Sequence, residues 1–324
     1  MNWKVKALGQ SALSLLPGAS KLNYWGQRFI TRAHSDIGSV VENRLEKARW
    51  FKHQFDQHHG GVLSEGQFYE FGAGWNLTGP LALFCLGVKR QIVVDVTRCA
   101  RLELVNQAIK ELNRYNGYIP RRPGKTLRSL SELDRRFGID YRAPADARNT
   151  ALPADSVDCI TNTFTLEHIP PADVRAILRE CRRILKPGGA LLSMIDYQDH
   201  YSFRDPQISV YNFLQYSARK WRWFNSSLHY QNRLRHCQYR QMFFKAGFET
   251  LSEELREPSP LDLERLRSMR LSAEFQRFSL DDLRVLGSQM VCRKPAQSDA
   301  NVELATTADM SNIRGASADG TLVH

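Results

Sequence analysis

The chain has 324 residues, 42% of them hydrophobic and 24% charged, so it can bury the core of one large or two small domains. Its net charge of +11 suits nucleic acid, an anionic membrane surface or an anionic substrate, but it also suits solubility alone. The six cysteines form no C-x-x-C pair, so neither a disulfide framework nor a zinc site is indicated. No apolar run approaches the ~18 residues that span a bilayer and no signal peptide is recognisable, so we expect a cytoplasmic protein.

Residues 1–60 form an N-terminal extension in which basic and apolar residues mix. Its stretches WKVKALGQSALSLLPG and LNYWGQRFITRA are typical of short amphipathic helices. Such helices either dock on a core domain or lie on a membrane surface. We expect a helical extension docked on the core, and we keep peripheral contact of residues 1–35 with the inner face of the membrane as the alternative.

From Gly66 onward, short apolar runs alternate with longer helical patterns. In chain order they are QFYEFG, a helix near 77–86, QIVVDV, a helix near 99–113, IDYRAP, VDCITNT, a helix near 172–185, and ALLSMID. This alternation predicts a Rossmann-like, doubly wound α/β sheet, mostly parallel, with helices on both faces. In such a fold the ligand site lies at the carboxyl ends of the strands.

The chain after Asp196 has a different composition and a different pattern of predicted elements. The segment at about 197–245 is aromatic and basic and predicts helices joined by loops. FETLSEELRE and VLGSQMVCRKP predict a closing pair of strands with an antiparallel strand at the C-terminal end, and a charged helical insert at about 258–280 separates them. The α/β domain therefore spans 61–295, while the polar residues 296–324 predict a disordered tail.

The stretch FYEFGAGWNLTGP, residues 68–80, places glycines where a strand turns into a helix. Gly72 and Gly74 would let the backbone approach a ligand closely, and Asn76 tolerates left-handed backbone angles better than most residues. Asp95, about twenty residues further on at the end of QIVVDV, is placed to accept hydrogen bonds from ribose hydroxyls. Both dehydrogenases and methyltransferases use such a carboxylate, but the dinucleotide pattern G-x-G-x-x-G/A fails here because its last position is Leu77.

Four further motifs follow in a fixed order. They are Asp146-Ala147 with Leu152-Pro153, Val157-Asp158, Leu166-Glu167-His168-Ile169, and Leu185-Lys186-Pro187-Gly188-Gly189. Together with FYEFGAG and IVVDV they resemble the class I S-adenosylmethionine-dependent methyltransferases, in particular the broad small-molecule group of the type 11 kind. The resemblance covers residues 66–195, and the closing strand pair extends it to about 295.

The resemblance implies S-adenosyl-L-methionine as the cofactor and assigns roles to the first half of the site. Glu70 would orient the glycine turn or the amino end of the cofactor. Gly72, Ala73 and Gly74 would line its methionine part through their backbone. Asp95 would hold the ribose.

The resemblance also assigns the adenine side of the site and the arm that carries the methyl group. Asp146 would accept a hydrogen bond from the adenine amino group, and the backbone of Ala147 would support the ring edge. Asn162 would sit beside the carboxypropyl arm and the sulfonium. The LKPGG motif is expected to be a structural turn between a helix and the next strand.

Methyl transfer to a hydroxyl needs alignment of the reacting atoms and removal of the hydroxyl proton. The two candidate bases are His168 and His200, which should both face the carboxyl edge of the sheet; each is also explained by simple packing. In ubiquinone-pathway methyltransferases, which share the L-E-H motif, a further acid one helical turn earlier completes a metal site. That position is Phe164 in this chain, so no metal is predicted.

We expect the aromatic, basic segment at about 197–245 to build the acceptor pocket, because its rings can stack on a sugar and its arginines can hold an anion. With YNFLQYS, NRLR and the basic N-terminal LNYWGQRFITR, the sequence resembles bacterial methyltransferases associated with the biosynthesis of glycans or other surface polymers. The leading hypothesis is therefore O-methylation of a small-molecule or glycan hydroxyl, such as that of a surface-polysaccharide precursor.

Two alternatives stay open. A nucleic-acid methyltransferase would suit the positive charge, but the chain lacks the D/N-P-P-aromatic motif of exocyclic amine methylation and a recognisable RNA-binding module. A non-catalytic scaffold that binds S-adenosylmethionine would carry the same cofactor motifs. Calorimetry with the cofactor and turnover across an acceptor panel would separate the scaffold from an enzyme.

Overall fold

The computed structural model describes residues 2–14, 37–58 and 63–296. The tail predicted at 296–324 lies outside the described residues except for Ala296, and so does the whole of the second amphipathic stretch, residues 22–33.

The centre of the structure is one seven-stranded sheet in the order β3-β2-β1-β4-β5-β7-β6. The strands are β1 (Gln67–Phe71), β2 (Arg90–Val94), β3 (Ile139–Arg142), β4 (Val157–Thr163), β5 (Leu185–Asp196), β6 (Glu249–Arg256) and β7 (Gly287–Arg293). The first five strands pair in parallel, whereas β7 is antiparallel to both of its neighbours. The predicted Rossmann-like α/β sheet with an antiparallel C-terminal strand is confirmed.

Helices cover both faces of the sheet. They are α1 (Trp3–Ser14), α2 (Ile37–His58), α3 (Thr78–Cys85), α4 (Leu102–Arg114), α5 (Leu133–Phe137), α6 (Pro171–Ile184), α7 (Ala218–Trp221), α8 (His236–Lys245), α9 (Pro260–Ser268) and α10 (Leu280–Arg284). Successive strand residues point to opposite faces. Phe68 accordingly packs with α2, α3 and α4, whereas the next residue, Tyr69, packs with α6 and α8.

The LKPGG motif differs from its predicted role. It forms the beginning of β5, which starts at Leu185 rather than at the ALLSMID run. Gly188 has a φ of +77°, and the pairing of β4 with β5 shifts register between Val157 and Cys159. A left-handed residue inside a strand requires glycine, so the motif is an irregular strand entry.

The N-terminal extension docks on the core at two places. In α1, the ring of Trp3 lies 4.9–5.7 Å from the rings of Tyr201, Tyr216 and Phe224, and its backbone N–H donates to the Asp205 carboxylate at 3.1 Å. Helix α2 packs along α3 and α4 in the main core. Many aromatic side chains of the 197–245 segment therefore pack against other protein side chains.

Candidate active site

A pocket of about 450 Å³ opens at the carboxyl edge of the parallel strands. Its walls come from the chain that leaves β1, β2, β3 and β4, and from the first turns of α6. The lining residues are Phe71, Gly72, Val94, Asp95, Val96, Ala145, Asp146, Ala147, Arg148, Phe164, Thr165, His168, Ile169, Pro170, Asp173 and Ile177. Parallel strands end at one edge, and this is where the sequence predicts the ligand.

The glycine turn after β1 is held tightly. The Gly72 N–H donates to the Val94 carbonyl at 2.9 Å, and any side chain at Gly72 would overlap that of Thr165. Gly72 and Gly74 have φ values of +77° and +75°, and Gly74 faces open space. The non-glycine residue of the turn that has left-handed backbone angles is Leu77, not Asn76. The Asn76 side chain instead accepts a hydrogen bond from the Thr78 N–H at 3.1 Å.

Asp95 supplies the free acceptor of the pocket. Its carboxylate accepts hydrogen bonds from the Gly74 N–H and the Tyr141 hydroxyl, but its buried Oδ2 atom has no partner. Burial raises the pKa of this carboxyl to about 7. A buried oxygen without a partner is costly, so a ligand with hydroxyl donors would be bound strongly here. The ribose role implied by the family resemblance fits this atom.

Glu70 is a second buried acid behind the glycine turn. Burial raises its pKa to about 7, and the neighbouring Asp95 adds to the rise while Arg44 of α2 opposes it. The Glu70 carboxylate lies within 3.5 Å of where a side chain at Gly79 would begin, so it packs against the start of α3. Two acids near the turn favour a cationic ligand such as an ammonium or sulfonium.

The opposite end of the pocket combines an ion pair with apolar walls. Arg148 donates to Asp146 at 2.8 Å and to Asp173 of α6 at 2.8 Å. These charge-assisted bonds hold the pKa of Asp146 below its usual range. Val96 and Ala147 add apolar surface that suits a nucleobase. Arg148 is not among the residues predicted from the sequence, although its place two residues after Asp146 is a signal that could have identified it.

Five of the predicted site residues are not among those that line the pocket, namely Glu70, Ala73, Gly74, Asn162 and His200. Ala73 packs against the main core beside the turn. Asn162 is fully buried, and its Nδ2 donates to the Ser193 Oγ of β5 at 2.7 Å. Phe164 and Thr165, just beyond β4, occupy the wall where the methyl-bearing arm was expected.

The two histidines come together although 32 positions separate them in the sequence. The ring centroids of His168 and His200 lie 5.0 Å apart. His168 lines the pocket, and its Nδ1 lies 2.8 Å from the Tyr230 carbonyl. A carbonyl only accepts, so Nδ1 carries the proton and Nε2 keeps its lone pair. Burial lowers the pKa of His200 to about 3, so its ring is neutral near pH 7.

Glu167, for which no metal role is predicted because Phe164 replaces the further acid, stands beside this pair. Only 2% of its surface is exposed, and neither carboxylate oxygen has a hydrogen-bond partner among the described residues. Burial raises its pKa well above the usual range. The order of strands β4 and β5 brings Glu167, His168 and His200 to one place.

Residues 125–193 match a family described as "Methyltransferase domain". A ubiquinone biosynthesis O-methyltransferase of Xanthomonas oryzae pv. oryzae is 40% identical over 62 residues, which are 19% of this chain and 25% of that protein. The chain thus matches about a quarter of the length of this curated relative. That of Xanthomonas axonopodis pv. citri matches with the same identity and coverage.

Among solved structures, the YcgJ protein of Bacillus subtilis is 16% identical, with 76% of this chain and 99% of that chain covered and a TM-score of 0.42. The matched domain, the motif order and the sheet topology support the class I S-adenosylmethionine-dependent methyltransferase family that the sequence predicts.

Proposed function

We propose that the protein transfers a methyl group from S-adenosyl-L-methionine to a hydroxyl of a small molecule or glycan, such as a surface-polysaccharide precursor. The observation that carries the proposal is one pocket that joins the free buried Oδ2 of Asp95 to the imidazole of His168. A nucleoside held at Asp95 and a hydroxyl near His168 would share that pocket. The O-methyltransferase name of the Xanthomonas relatives supports the same atom type.

In this proposal some residues hold the cofactor and others take the proton of the acceptor hydroxyl. Asp95 accepts from the ribose hydroxyls, Glu70 supports the glycine turn from its buried position behind it, and Val96 covers the base. When bound, the cofactor supplies an electrophilic methyl group on a sulfonium. Protein groups then need only align the acceptor and take its proton. The Nε2 lone pair of His168 is available for that proton, with His200 as the alternative acceptor.

A deletion strain tests the function without prior choice of acceptor. Its polar metabolites and surface glycans should contain a species lighter than its wild-type counterpart by one methylene group per lost methyl. A chromosomal Asp95→Ala strain should lose the same methyl group, whereas the exposed Asp134→Asn should not. Wild-type methylation of every metabolite and glycan in both the deletion and the Asp95→Ala strains would contradict the proposal.

We also propose that the protein works in the cytoplasm, at the inner face of an anionic membrane. All six cysteines are free, which suits a reducing compartment. No helix of the described residues has both the length and the apolar character to cross a bilayer. Helix α1 exposes Val5 and Leu8 by 67% and 50%, and Trp223 beside it by 70%. Exposed bases flank this surface, namely Lys4, Arg219, Lys220 and Arg222.

Flotation with vesicles tests the membrane proposal. The double variant Val5→Glu, Leu8→Glu should reduce binding to phosphatidylglycerol vesicles on the order of tenfold, because it removes apolar contact and adds negative charge. Binding to phosphatidylcholine vesicles should be weak for both proteins. Equal partitioning of the wild type and the double variant would reject this surface.

A further inference from the structure

Three side chains beside the cofactor pocket have the geometry of a metal site. Glu167, His168 and His200 each offer one ligand atom, and these atoms lie within 4.8 Å of one another. A point no more than about 2.8 Å from all three therefore exists, whereas bonds to a divalent transition metal measure about 2.0–2.2 Å. Side-chain movements of under about 1 Å would complete the coordination.

The ligand atoms are free for a cation. Among the described residues, both oxygens of Glu167 and the Nε2 of His200 are buried without a hydrogen-bond partner. Leaving such groups unpaired is costly, and native structures satisfy most of them with protein, water or an ion. Since only 2% of Glu167 is exposed, solvent does not pair with its carboxylate. A bound cation would be the partner that these ligand atoms lack.

The orientation of His168 gives a second, independent indication. Its Nδ1 donates to the Tyr230 carbonyl at 2.8 Å, which fixes the tautomer and aims the Nε2 lone pair away from that carbonyl. Histidines that bind metals are held in this way by a carbonyl or carboxylate on the other ring nitrogen. Asp196, whose Oδ2 lies 3.9 Å from the His200 Nε2, adds negative charge at the edge of the cluster.

We propose that Glu167, His168 and His200 bind one first-row divalent transition metal ion. Two imidazoles and one carboxylate favour such an ion over Mg²⁺ or Ca²⁺, which prefer all-oxygen ligands. Three protein ligands leave coordination positions open toward the pocket that His168 lines. The sequence predicts no metal because Phe164 replaces an acid, but the third ligand here comes from the loop after β5.

An open coordination position next to the pocket would receive an oxygen of the acceptor. Coordination lowers the pKa of a bound hydroxyl, and the released proton passes to solvent. In the metal-bound protein both imidazole lone pairs would hold the ion, so the base role proposed above for His168 or His200 applies to the metal-free protein only. The metal proposal itself does not depend on methyl transfer, because binding of the ion is measured without cofactor or acceptor.

Titration of the full-length protein with Co²⁺, followed by calorimetry and visible absorption in excess Mg²⁺, tests the site. We expect one Co²⁺ per chain, with absorption bands that indicate nitrogen ligands. His200→Gln and Glu167→Gln should each weaken binding by more than about tenfold, which is the loss that even outer-shell substitutions cause. His229→Gln is the matched control, since its ring lies 6.1 Å from that of His200 but outside the cluster.

Three results would overturn the proposal. They are the absence of stoichiometric Co²⁺ binding to the wild-type protein, unchanged affinity in both ligand variants, and equal losses in His229→Gln and His200→Gln. Thermal denaturation without metal checks that each variant folds. If His200→Gln does not fold, two other measurements decide the outcome. One is the Co²⁺ affinity of Glu167→Gln, and the other is pulsed electron paramagnetic resonance of Mn²⁺ bound to the wild-type protein, which counts the coordinated imidazoles.

Discussion

Asp95→Asn is expected to weaken the binding of S-adenosyl-L-methionine about 100-fold, because hydrogen bonds to a charged acceptor contribute about 1.5–3 kcal/mol and each tenfold change in Kd is about 1.4 kcal/mol. The substitution keeps the shape of the side chain. It removes the charge and replaces one of the two acceptor oxygens by an amide NH2 group, which cannot accept a hydrogen bond. One of the two oxygens is the buried Oδ2, which has no partner among the described residues. The loss should therefore appear in cofactor affinity rather than in folding.

Calorimetry with the full-length protein measures this change. Asp134→Asn, an exposed acid of α5, is the control and should bind like the wild type. The pH dependence gives a second readout. Since the pKa of Asp95 is raised to about 7, affinity should fall as the pH drops through that value and the carboxylate takes up a proton. Equal affinity of Asp95→Asn and the wild type at pH 8 would contradict the ribose role.

Arg235→Met is expected to lower the free energy of unfolding by about 3 kcal/mol or more, since each buried acceptor left without a donor costs about 1–3 kcal/mol. Arg235 has no exposed surface. Its guanidinium donates to the carbonyls of Tyr197, Leu283 and Val285 at 2.7–2.8 Å. It thus joins the chain after β5 to the approach to β7, and methionine would fill the space without donating.

Urea denaturation followed by circular dichroism measures the loss of stability. Arg240→Met on α8 is the matched control, because its side chain is 58% exposed and pairs only with Glu253 at 3.6 Å. Exposed ion pairs contribute about 0–1 kcal/mol, so this control should unfold near the wild-type midpoint. If the two variants unfolded at the same urea concentration, the three-carbonyl anchor would have no structural importance.

The cofactor half of the site follows largely from local sequence. Gly72 and Gly74 stand at the end of a buried apolar strand, and Asp95 stands at the end of the next one. A side chain that follows a parallel strand must emerge at the carboxyl edge of the sheet, so these positions are predictable from short-range pattern. Asn162 shows the limit of that reasoning. It lies within β4, where its side chain meets Ser193 of the neighbouring strand instead of the pocket.

The acceptor side was predicted less completely. The aromatic residues after Asp196 suggested a pocket wall, but Tyr201, Tyr211 and Trp221 are buried in a cluster with Trp3 of α1. An aromatic side chain that stacks on an acceptor and one that is buried in the protein core have the same sequence pattern. Which of the two a ring becomes depends on what packs over it, and here α1 supplies the cover from the other end of the chain.

The sequence by itself predicted the family, the order of strands and helices, and the candidate residues for holding a nucleoside, because those features depend on periodicity and on turns of a few residues. Only the tertiary structure decided that Glu167 meets His200 and that α2 brings Arg44 near Glu70. These meetings depend on which strands are neighbours and on where the extension docks. Such long-range packing is set by burial of the whole apolar surface, and no local motif encodes it.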